Sequence, residues 1–137
     1  PSNDFDLVTL LIGVNNQYQS KPFSVYETEF IELVNSAISF VGDDATKLII
    51  VSIPDYAYTP YGQNGNALAV SADIDRYNSF AADYAEENGL TYVYITDITR
   101  EGLDDPNLVA LDGLHPSGLA YAKFVERILP LALAKVE

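Results

Sequence analysis

The chain contains no cysteine, methionine or tryptophan, and only one histidine. Without cysteine there is no disulfide framework, no thiolate metal site and no cysteine nucleophile. Basic residues are also scarce, with 7 Lys+Arg against 20 Asp+Glu and a formal net charge of −13. Such a surface repels phosphate backbones, and no Lys/Arg cluster offsets it, so nucleic acid is not an expected partner. No apolar run approaches the ~20 residues of a membrane span. Cysteine absence suits a cytoplasmic protein and a disulfide-free secreted one equally. The chain starts at Pro1-Ser2-Asn3 without an initiator Met, so the lack of a visible leader says little about compartment.

What remains is the composition of a globular domain. The 137 residues are 48% hydrophobic and 20% charged. That length suits one domain over 1–137, able to bury roughly two-thirds of its unfolded surface. Leu7-Val8-Thr9-Leu10-Leu11-Ile12 is a β-branched-rich run ending at Gly13 and reads as a buried strand. Asn15 to Pro22 reads as loop. Ser24-Val25-Tyr26-Glu27 has the form of a capping box, so a helix is expected after it, with Phe30, Ile31, Val34, Ala37, Ile38 and Val41 on one face and Gly42 at its end. Lys47 to Ile53 predicts a second strand, stopped by Pro54. A long loop runs from Asp55 to Ala69, and a second helix is expected from Ser71 or Ala72 to Gly89. Thr91 to Ile95 predicts the third strand, followed by an Asp-rich loop from Thr96 to Leu111. A last helix is expected from about Ser117, with Pro130 kinking or breaking it.

Alternation of strand and helix, with strands apolar on both faces, argues for an α/β fold built on a parallel sheet. Three strands are few for such a sheet. An all-apolar strand such as 7–12 or 47–53 left at an edge invites association. The expectation is that N-terminal strands are missing from this chain, with self-association through an incomplete sheet as the other outcome.

Ligands of such sheets bind beyond the carboxyl ends of the strands. Three segments reach that rim: Gly13-Val14-Asn15-Asn16, the 55–69 loop and the 96–116 loop, which carries the lone histidine, His115. In Asp112-Gly113-Leu114-His115-Pro116 the carboxylate can accept from the imidazole Nδ1–H of its own turn, fixing the tautomer and supporting a developing imidazolium. Gly13 would let a substrate approach the backbone, and the Asn15 amide can donate to an oxyanion. Taken one at a time, these residues leave a second reading open: a polar loop before a Ser117-capped helix, and an ordinary Gly-x-Asn turn. Tyr18, Tyr56, Tyr58 and Tyr61 are candidates for an amphipathic wall around an acyl or sugar group, or simply pack the loop. Asp97, Glu101, Asp104 and Asp105 lack the spacing of a calcium loop and read as a solvated acidic segment.

The two motifs, in this order and about a hundred residues apart, resemble the SGNH hydrolase superfamily of GDSL-type esterases and lipases. Asp6 to Asn16 is similar to that family's strand closing in Gly-x-Asn-Asp, with Asn16 where the Asp usually stands, and Asp112 to Pro116 is similar to its closing Asp-x-x-His-Pro. The resemblance implies a flavodoxin-like three-layer α/β/α sandwich. It implies a serine-dependent ester hydrolase needing no cofactor, acting on a small-molecule, carbohydrate or lipid ester, with Asn15 as oxyanion donor, His115 as base and Asp112 orienting it. The family's nucleophile block, Gly-Asp-Ser, is absent, as is the block whose glycine supplies a second oxyanion N–H. Ser2, Ser20, Ser24, Ser52, Ser71 and Ser117 do not replace it: Ser52 lies in a predicted buried strand, Ser24, Ser71 and Ser117 read as helix caps, and Ser20 has no strand-to-helix elbow around it. The serine is therefore expected outside this chain, and the 137 residues alone are expected to be inactive. A non-catalytic binding or assembly module for carbohydrate or peptide is the alternative. A receiver-type phosphoacceptor domain, suggested by size and element order, lacks an Asp where Gly13 stands.

Overall fold

A computed structural model describes residues 5–136. Three parallel strands, β1 (Val8–Leu10), β2 (Leu48–Val51) and β3 (Thr91–Val93), form one sheet in the order β1-β2-β3. The register pairs Val8 with Leu48 and Leu10 with Ile50 on one side, and Ile49 with Thr91 and Val51 with Val93 on the other. The central strand β2 is buried at all four positions, as a strand covered on both faces must be.

Alternation along β2 divides the core in two. Leu48 and Ile50 face α2 (Phe23–Phe40) and α3 (Ala67–Glu87), whose Tyr26, Phe30, Val34, Ala37, Ile74, Tyr77 and Ala81 fill one layer. Ile49 and Val51 face the opposite layer, where α4 (Thr96–Arg100) contributes Ile98 and α5 (Gly118–Val136) contributes Ala120 and Phe124. The chain is therefore a three-layer α/β/α sandwich of the flavodoxin-like type: the alternation of elements predicts the parallel sheet with helices on its faces, and the family resemblance implies this architecture. Ser52, one residue past β2, is buried; its Oγ accepts from Ile95 N at 2.7 Å and is in contact with Thr96 Oγ1 at 2.8 Å, tying the ends of two strands together. Among the described residues no helix is long and apolar enough to cross a membrane.

Several boundaries differ from expectation. The Ser24–Glu27 capping box does not form: α2 begins at Phe23 behind Pro22, without a side-chain cap, and Ser24 lies inside the first turn. Packing of the half-buried Phe23 ring against Tyr77 and Phe80, with ring centroids 5.0 and 5.9 Å away, draws the start forward. Helix α3 begins four residues before Ser71, capped by the Asn66 side chain, which accepts from Ala69 N at 3.2 Å. Ser71 is thus a helix-interior residue rather than a cap. Ser117 does cap α5, accepting from Ala120 N at 3.2 Å. Pro130 neither ends nor interrupts α5, which continues to Val136; the proline removes one backbone donor. Two five-residue helices, α1 (Val14–Tyr18) and α4, stand in segments expected as loop. Ser2 lies outside the described residues.

Candidate active site

The segments following all three strands meet at the carboxyl rim and enclose a cleft of about 250 Å³. After β1, Val14, Asn15 and Tyr18 of α1 form one wall. After β2, Pro54, Asp55, Tyr56 and Thr59 form the floor and a second wall. After β3, Thr99, Leu108, Val109, Leu114, His115 and Pro116 complete it. Asn15 and His115, a hundred positions apart in sequence, line the same cleft.

His115 is held by its own turn. Val109 and Pro116 form an antiparallel bridge, Ala110 N donates to His115 O at 2.8 Å, and Gly113 at φ +72° lets the chain reverse between them. Asp112 closes the turn: its Oδ1 accepts from Leu114 N at 2.9 Å and His115 N at 3.0 Å, and its Oδ2 stands 2.6 Å from His115 Nδ1. One carboxylate thus fixes both the backbone of the turn and the ring that the turn presents. With Nδ1 engaged, Nε2 is the nitrogen left to exchange a proton. The His115 amide, the Leu114 amide and then the imidazole hold the Asp112 carboxyl down to about 2, from an ordinary 3.8. A lowered folded-state value means that the turn favours the anion above pH 4 and loses that preference as pH falls through about 2. Carbon-13 titration of the Asp112 carboxyl is expected to give a midpoint near 2. A midpoint near 4 would show that the amide contacts are not made.

Gly13 takes φ +127° and is buried. A Cβ there would come within 2.6 Å of Tyr26 Cε2, so the space over this glycine is filled by Tyr26. The next residues begin α1, which places Asn15, exposed, on the cleft wall. Asn16, where the resembled family usually has Asp, donates from Nδ2 to Glu29 Oε2 at 2.8 Å. A carboxylate at that position would face another carboxylate.

The tyrosines divide. Tyr18 and Tyr56 line the cleft with rings edge-to-face at 5.7 Å, and the Tyr56 hydroxyl donates to Gln17 Oε1 at 2.7 Å. Tyr61 stands outside the lining, its hydroxyl 2.6 Å from that of Tyr18 and its backbone N–H donating to Gly113 O at 3.0 Å, so it links α1 to the histidine turn. That bond to Tyr61 raises the Tyr18 phenol above its ordinary value, keeping it protonated. Tyr58 lies away from the cleft, with the Arg100 guanidinium 5.9 Å over its ring.

Beneath the cleft lies an ion pair not anticipated from the sequence. Asp55, fully buried, accepts from Ala57 N at 3.0 Å, Ser71 Oγ at 2.6 Å and Arg100 Nε at 2.9 Å. Arg100 also reaches Asp75 Oδ1 at 2.7 Å. Burial works against the Arg100 charge, and the bonds to Asp75 and Asp55 outweigh it, raising its pKa. The signals were an Asp directly after the strand-ending Pro54 and a lone Arg in an acidic stretch; neither names its partner. Two other acidic residues of that stretch have separate partners. Asp97 forms a two-pronged pair with Arg127 at 2.6 and 2.8 Å, and Asp105 accepts from Asn107 N at 3.1 Å. Among the described residues no group of three potential metal ligands comes together.

The model of the GDSL-like lipase/acylhydrolase family matches residues 1–123. The chain belongs to this family. Membership of the GDSL-like family carries a general acylhydrolase function and agrees with the parallel sandwich described above. No curated protein matches the chain.

Proposed function

We propose that this GDSL-like chain supplies the oxyanion and base side of a serine-dependent ester hydrolase, the serine coming from polypeptide outside these 137 residues. The observation that carries the reading is the meeting of Asn15 and His115 on one cleft, with Asp112 2.6 Å behind the imidazole. In the reaction the serine hydroxyl attacks the ester carbonyl while His115 Nε2 takes its proton. Asp112 stabilises the imidazolium, and the Asn15 amide donates to the tetrahedral oxyanion. The imidazolium returns the proton to the departing alcohol, and water repeats the sequence to release the acid. No metal or organic cofactor is called for in this scheme.

Two observations favour an outside nucleophile. No serine is among the residues lining the cleft, and the two threonines that line it are already bonded. Thr59 Oγ1 donates to Tyr56 O and accepts from Gly62 N, while Thr99 Oγ1 donates to Thr96 O and accepts from Asp55 N. In addition, β1 pairs only with β2 among the described residues. A further parallel strand on the free edge of β1 would end at the same rim, beside Asn15.

The isolated chain is expected to show no hydrolysis of chromogenic acetyl esters above background. In a form carrying the nucleophile, Asn15→Ala is expected to lower kcat by ~10²–10³ with little change in KM, the usual effect of one lost oxyanion donor. Steady-state kinetics on 4-nitrophenyl acetate tests this. An unchanged kcat for Asn15→Ala removes that residue from the mechanism, and an isolated chain whose turnover is abolished by His115→Ala shows that the nucleophile lies within it.

A further inference from the structure

The walls of the cleft say what charge its ligand carries. Seven residues of the chain are cationic, and none lines the cleft. Arg100, which lies behind the floor, is committed to Asp55, Asp75 and Ser71. Arg127 is held by Asp97, Arg76 sits 3.9 Å over the Phe23 ring, and Lys123 faces Glu101 at 3.9 Å. Lys47 precedes β2 and Lys135 ends α5, bonded to Thr46 O, so both belong to the opposite end of the strands. Lys21, in the turn after α1, is exposed and does not line the cleft.

The lining is otherwise neutral and mostly apolar: Val14, Leu108, Val109, Leu114 and the two prolines, with tyrosine and threonine hydroxyls. The buried Asp55 carboxylate is balanced by Arg100. The Asp112 carboxylate at the rim is balanced only when the imidazole is protonated, and the chain as a whole carries −13. An anionic group entering here would lose hydration, meet no cation and move against the field of the whole molecule. The cleft volume of about 250 Å³ falls just below the usual range for drug-sized ligands and suits a small one.

We infer that the cleft accepts small, uncharged esters and rejects those bearing a carboxylate or phosphate. This rests on the cleft being the ester site proposed above. No atom of the hydrolytic sequence changes; what is selected is the charge of the group beside the scissile bond.

The test uses a pair matched in shape, 4-acetoxybenzoate and its methyl ester. In the nucleophile-bearing form both are read by phenol release, with rates normalised to hydroxide-catalysed hydrolysis. Both are also titrated onto the isolated chain while the amide signals of Asn15 and His115 are followed by NMR. At low ionic strength the methyl ester is expected to be favoured at least ~10-fold in kcat/KM and in Kd, because about 1.4 kcal/mol of repulsion corresponds to a factor of ten. The ratio should shrink toward ~3 at 0.5 M salt as the charges are screened. Equal normalised turnover of the two esters overturns the selectivity and leaves the hydrolase reading standing. Turnover of neither, with the binding preference intact, retires the hydrolase reading and keeps the selectivity. Binding of neither at millimolar concentration overturns the inference.

Discussion

Arg100→Ala is expected to destabilise the fold by about 3 to 5 kcal/mol, the usual cost of stripping one partner from a buried ion pair. The cost comes from Asp55, which is fully buried and would be left without its cation, with only Ala57 N and Ser71 Oγ to accept from. Arg100 itself is three-quarters covered. A domain of this kind has about 5–15 kcal/mol in total, so the loss is a large share of it. In urea the midpoint should fall by roughly 2 M with the slope unchanged. Asp75, half-exposed at the other end of the same guanidinium, provides the comparison: Asp75→Ala is expected to cost less than about 1 kcal/mol, as for an exposed pair. If Arg100→Ala costs no more than Asp75→Ala, the buried pair is not what holds the floor of the cleft.

This ion pair also shows where reading the sequence stops. Asp55 and Arg100 lie 45 residues apart, and neither has a periodic neighbour to mark it. Their meeting follows from β2 and β3 being neighbours in the sheet, which only the strand order reveals. The strands themselves were plain because each is rich in β-branched, aromatic or aliphatic residues: all four residues of β2 are buried, so no alternation was needed to recognise it. Helices α1 and α4 were not, because five residues are too few for a 3.6-residue period to show. The Ser24–Glu27 pattern misled because a side-chain cap of about 1 kcal/mol competes with burial of the Phe23 ring, and burial is the larger contribution.

The positions of the candidate site residues were legible for a related reason. Asp112 and His115 meet within one turn, so their spacing already contained their geometry. Asn15 needed only the end of β1 to be placed. The tyrosines needed tertiary information: Tyr18 and Tyr56 line the cleft, Tyr61 braces Tyr18, and Tyr58 packs under Arg100. Gly13 is spoken for by Tyr26, a residue of α2 whose ring no local pattern places there.

Asp112→Asn tests the proposed mechanism most directly, because it keeps the shape of the turn and reverses one hydrogen bond. The amide oxygen can still accept from Leu114 N and His115 N, as Oδ1 does now. The amide nitrogen then replaces Oδ2 beside His115 Nδ1, and it is a donor. The imidazole answers by carrying its proton on Nε2, where a base must have a lone pair. In the nucleophile-bearing form kcat is expected to drop by up to ~10⁴, the size of the effect when an orienting Asp becomes Asn in such triads, while the urea midpoint stays nearly unchanged. The isolated chain offers a readout that needs no turnover. Nitrogen-15 spectra of the neutral imidazole should show the proton on Nδ1 in the parent and on Nε2 in Asp112→Asn. If both proteins hold the same tautomer, Asp112 is only a clasp for its own loop, and the base at this rim must be oriented by something else.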